Sequence, residues 1–192
     1  PGVWRSLVGV VSIVGLMLVV VPAVAGMGMF LVLMAAGQTV QEATATLDIT
    51  QEVTPAGLAL INGVLAMAIP VVWLVTWLLH RLKPRWIASV APRIRWGYLF
   101  VCVGLSIVAL LASLAVALLL PTASGEEQLG TLNEFTSRTR AFLIIIVLLT
   151  PLQAVGEEYV FRGYFTQAFG SMASGVWISR IMAVLLPALL FA

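Results

Sequence analysis

Residues 6–36 form an almost unbroken apolar run. At about 1.5 Å of rise per residue this exceeds a hydrocarbon core of about 30 Å, so the segment is expected to span a membrane with tilt or a kink. Pro22 is the obvious kink site. Further apolar runs cover residues 56–79, interrupted by Pro70, and residues 97–120, ending at Pro121. Another begins at Ala141 and is expected to end in a polar, glycine-containing connection at residues 163–175, after which residues 176–192 begin one more. Only 9% of the chain is charged, against about 25% in a soluble domain, so a water-facing surface is excluded. The expected fold is all-α, a polytopic transmembrane helical bundle of about five spans with the fifth truncated. Arg5, the apolar stretch and Ala23-Val24-Ala25 have the look of a signal peptide, but hydrophobicity continues past Gly26 to Met34. A retained first helix is therefore expected.

The charges lie between the runs. Residues 37–55 carry Glu42, Asp48 and Glu52 and no basic residue. Residues 80–96 carry Arg81, Lys83, Arg85, Arg93 and Arg95, with Pro84 and Pro92 preventing one continuous helix. Residues 122–140 carry Glu126, Glu127 and Glu134 ahead of Arg138 and Arg140. Basic loops stay in the cytoplasm, so the N-terminus and the 80–96 loop are expected inside and the acidic loop outside, in a multi-pass protein of the cell membrane. Trp4, Trp73, Trp77, Trp86, Trp96 and Trp177 fall near the cytoplasmic edges this topology defines. The basic loop is expected to touch membrane lipid. A net charge of +2, placed at membrane edges, argues against nucleic acid as a partner. The single cysteine, Cys102, forms neither an internal disulfide nor a metal cluster and reads as a packing residue.

Glu157, Glu158 and Arg162 stand out against this background, because they follow directly on the apolar stretch 141–149. A charge at the bilayer centre costs about 2.5–3.5 kcal/mol on insertion scales, so ionisable groups here are functional candidates. On an unbroken helix from Ala141, Glu157 lies roughly 24 Å along and Arg162 roughly 31 Å. That places the carboxylates in the cytoplasmic part of the bilayer and the guanidinium near its edge. Glu158 and Arg162 are spaced i, i+4 with the acid first, the better order for a helical ion pair. Adjacent glutamates point about 100° apart, so Glu157 is left to face an internal cavity that Phe161 would wall. There it would suit taking a proton from water and returning it. Pro151 can loosen the helix just above, and Gly156 and Gly163 permit close helix contact. The plain alternative is that the three charges mark a solvated, paired helix end.

Glu157-Glu158-x-x-x-Arg162, preceded by Gly156 and followed by Gly163-Tyr164-Phe165, resembles the first motif of the CPBP family. These are the CAAX-prenyl-protease and bacteriocin-processing intramembrane endopeptidases, also called Rce1-like or ABI. Phe191 falls where the family's fifth helix carries Phe-x-x-x-His, with the histidine expected beyond Ala192. The resemblance covers about residues 140–192 and divides the chain into helices 1–3 and their loops (residues 1–140) and the start of a protease core (residues 141–192). It implies a glutamate-dependent endopeptidase that cleaves a membrane-associated protein or peptide at the cytoplasmic side. Glu157 would activate water, while Glu158 and Arg162 would orient and stabilise the site. Later histidines would complete it, with or without a divalent metal such as zinc.

This chain departs from the pattern in having one histidine, His80, which matches no family motif and reads as an interfacial residue. It starts at Pro1 and stops within an apolar run, so it reads as a fragment that would be inactive alone. The competing function is a non-proteolytic membrane scaffold or regulator in which the same charges lock helices together. A transporter with an acidic relay would need further acids within the spans, and spans one to three contain none.

Overall fold

A computed structural model describes residues 3–50, 52–83, 85–88, 95–119 and 135–191. Pro84, Pro92, Arg93, Pro121, Glu126, Glu127 and Glu134, which figured in the loop assignments, lie outside the described residues. Every regular element among the described residues is a helix. α1 is Val3–Ala35, α2 Val40–Leu47, α3 Pro55–His80, α4 Arg85–Ala88, α5 Trp96–Leu119, α6 Ser137–Gly170 and α7 Val176–Phe191. α1, α3, α5 and α6 are each long and apolar enough to cross a membrane. The expected all-α, membrane-spanning class is what is found.

Several boundaries differ from the sequence expectation. The fourth span does not end in a polar connection starting at Gly163: α6 continues to Gly170, and only residues 171–175 separate it from α7. Gly163 is tolerated because helix is the cheapest way to satisfy backbone groups where water is scarce. α6 also runs through Pro151. In α1 the irregularity is a π-helical turn, Leu16–Val20, just before Pro22 rather than at it. In α3 the regular pattern breaks at Met67, ahead of Pro70, and closes in another π turn, Thr76–His80. The polar loop after α1 contains α2, which begins with a reciprocal capping box: Thr39 Oγ1 accepts from the Glu42 amide, and the Glu42 carboxylate accepts from the Thr39 amide at 2.8 Å.

α5 belongs to a unit of its own, Arg93–Thr136, and has no buried residue. The remaining helices form the other unit. Its core joins Val10 and Ile13 of α1, Ala68, Val72 and Val75 of α3, and Val160, Phe165 and Phe169 of α6. Most large apolar side chains are nevertheless exposed, as expected when lipid rather than water is the solvent. α3 and α6 make the most extensive interhelical contact. It is close because a Cβ on Gly156 would overlap the Leu65 carbonyl. Asn62 Nδ2 donates to Thr150 Oγ1 at 2.9 Å across it, which satisfies a buried amide between the helices.

Candidate active site

α6 is regular through Glu158 and then widens into a π-helical stretch, Tyr159–Phe165, before regaining α geometry. The Thr166 hydroxyl donates to the Phe161 carbonyl at 2.9 Å, which helps satisfy the widened turn. Such π segments occur frequently at functional sites. Here one begins immediately after the paired carboxylates and contains Arg162.

The turn after α6 folds α7 back against it. The Ser179 hydroxyl donates to the Gly170 carbonyl, and Gly170 lies against Ala183. Between the two helices is an open cleft of about 600 Å³, lined among others by Glu157, Glu158, Phe161, Arg162, Pro187 and Phe191. Phe161 and Phe191 meet edge to face, 5.0 Å between ring centroids, and form its apolar wall.

The expected i, i+4 pair is formed: Arg162 Nε lies 2.9 Å from Glu158 Oε1. Both side chains are exposed, 81% for Arg162 and 53% for Glu158. Glu157 is half-buried, and its Oε1 accepts from Gln153 Nε2 at 3.3 Å. Glu157 and Phe161 line one cavity, which is an open cleft rather than an internal one. All three charged residues line one open cleft, because the groove against α7 is broad enough to take in the arc between adjacent side chains.

The arrangement has one half-buried carboxylate whose second oxygen has no partner among the described residues, a neighbouring ion pair and an apolar wall. It can accept a proton from a water molecule and hold an extended apolar segment beside it. Among the described residues no three His, Cys, Asp or Glu side chains converge. The described residues therefore do not assemble the three side-chain ligands typical of a catalytic zinc.

Sequence reasoning missed a set of polar contacts at the other end of the same π stretch. His80 Nε2 is 2.8 Å from the Tyr164 hydroxyl, although 84 positions separate them. A Cβ on Gly9 would overlap that hydroxyl, so the glycine is what lets Tyr164 reach across α1 to α3. No local signal in the sequence could have paired these residues.

The fold and the cleft thus define a helical membrane protein with a paired-carboxylate and arginine centre near one end of a span. Residues 139–192 match the family model for the type II CAAX prenyl endopeptidase, Rce1-like. The similarity expected from the motif is therefore present over that segment, which contains Glu157, Glu158, Arg162 and Phe191. No curated protein and no solved structure gives a significant match.

Proposed function

We propose that the chain carries part of the centre of a glutamate-dependent intramembrane endopeptidase of the CAAX-protease type. The supporting observation is that Glu157, Glu158 and Arg162 share one cleft within the segment similar to that family. In the proposed reaction Glu157 takes a proton from water as the oxygen attacks a peptide carbonyl. The tetrahedral adduct then collapses, the C–N bond breaks, and Glu157 returns the proton to the departing amine. Arg162, held by Glu158, orients the site and stabilises negative charge on the adduct. Phe161 and Phe191 hold the apolar substrate segment. Helices before residue 141 serve as the membrane scaffold for residues 141–192.

Cleavage would occur at the cytoplasmic side of the cell membrane, on a membrane-associated protein or peptide. Histidines C-terminal to Ala192 would complete the centre. No proposed step runs through a metal. A non-proteolytic scaffold built on the same ion pair is the competing function.

These two functions separate on product release. The protein expressed from its complete reading frame, purified into proteoliposomes with a peptide library, is expected to yield cleaved peptides detectable by mass spectrometry. Absence of any protein-dependent cleavage, from a sample that is folded and monodisperse, favours the scaffold.

A further inference from the structure

A second cavity, of about 220 Å³, lies among α1, α3, α4 and α6, away from the carboxylate cleft. Its polar lining includes Ser6, Thr76, His80, Tyr164, Gln167 and Ser171, and Trp86 and Ile87 of α4 close one side. Among the described residues no carboxylate lines it. A space this size exceeds what one water needs, which is about 10–15 Å³ by the same kind of measure.

Thr76 carries the argument. Its side chain is 2% exposed, it lines the cavity, and its hydroxyl has no hydrogen-bond partner among the described residues. Leaving a buried hydroxyl unpaired is costly, so an occupant that accepts its hydrogen bond is favoured. The other groups indicate the occupant's sign. The Ser171 hydroxyl donates to the Ala168 carbonyl at 2.7 Å, and Ser6 is 3.0 Å from Ser171, so these two are already paired. Thr76 remains as a donor, with one further proton from the His80–Tyr164 pair, and the Gln167 and Trp86 side chains that line the cavity carry further N–H groups.

Basic residues adjoin three of the lining residues. The Arg85 guanidinium sits 5.8 Å from the centroid of the Trp86 ring, and Arg5 lies within electrostatic reach of His80. Arg81 and Lys83 flank Leu82, another lining residue. The acids of α6, Glu157 and Glu158, line the other cleft.

We propose that this cavity binds a phosphate group, supplied either by the headgroup of an anionic phospholipid in the leaflet that the basic loop faces or by a soluble phosphate. Convergent donors pair with the phosphate oxygens, the arginines and lysine balance its charge, and Leu82, Trp86 and Ile87 provide apolar contact for an attached glycerol or chain. The site is independent of the proteolytic proposal.

The test uses the full chain in detergent, titrated with phosphatidylglycerol or phosphatidylcholine and followed by native mass spectrometry. Inorganic phosphate is titrated separately in a thermal-shift assay. Phosphatidylglycerol is expected to bind about tenfold more tightly than phosphatidylcholine, the scale of one or two cationic contacts. Thr76→Val and Gln167→Leu should each weaken it by about tenfold, the loss of a hydrogen bond to a charged group. Glu157→Gln, in the other cleft, should leave lipid binding unchanged. Protection by inorganic phosphate as strong as that by the lipid assigns the site to a soluble ligand, and weaker protection assigns it to a headgroup. Equal binding of the two lipids with no phosphate shift overturns the proposal. So does unchanged phosphatidylglycerol and phosphate binding in both variants, each shown to be folded by its helical circular dichroism.

Discussion

Gly156 shows how much a single residue decides in the contact between α3 and α6. Any side chain there would meet the Leu65 carbonyl, which is backbone and cannot rotate away. Gly156→Ala is therefore expected to destabilise the protein by about 1–3 kcal/mol, as overpacking does. Gly26→Ala, where nothing lies within 4 Å, is the matched control and should be neutral. Thermal melting in detergent checks both. Asn62 makes a gentler prediction. Removing its bond to Thr150 by Asn62→Leu should cost about 0.6 kcal/mol, the average for interhelical bonds in membranes, and Thr150→Val in a double-mutant cycle should recover the coupling. Glu42 gives a pH dependence. Hydrogen bonds from the Thr39 backbone N–H and hydroxyl hold its carboxyl below the ordinary value of 4.5. A carboxyl lowered on folding stabilises the cap fully above that ordinary value, and the contribution disappears as pH falls through the lowered one. Fraying of α2 in amide hydrogen exchange should therefore begin only below about pH 4.5; fraying that began near neutrality would contradict the capping box.

At the scale of elements, much was legible because it is local. Apolar run length marked α1, α3, α5 and α6, and the i, i+4 spacing of Glu158 and Arg162 marked their ion pair. Gly156 and Gly163 were expected to allow close contact, and they lie against Leu65 and Ile87. The π turns were not legible, since a reading on a 3.6-residue period has no signal for one inserted residue. Gly163 marked a helix end by soluble-protein rules, yet α6 continues past it to Gly170 because the bilayer offers its backbone no better partner. The cavity around Thr76 and the His80–Tyr164 contact stayed hidden for a different reason. They depend on α1, α3 and α6 converging, and no residue in the chain announces a partner 84 positions away.

At the scale of the whole molecule, the proposed orientation puts the basic loop inside and the acidic loop outside. In a Cys102→Ser background, Gln41→Cys is expected to react with an impermeant thiol reagent added to intact cells, and Lys83→Cys only after lysis. The reverse pattern would invert the topology and move the carboxylate cleft to the outer side. The central claim rests on Glu157, the half-buried carboxylate of that cleft. Its most direct test is the single-turnover rate of peptide cleavage by the complete protein in proteoliposomes, compared with Glu157→Gln at matched melting temperature. Loss of a general base predicts a rate lower by about 10²–10⁴-fold with substrate binding retained. A Glu157→Gln variant that cleaves at the wild-type rate would show that the proton is handled elsewhere.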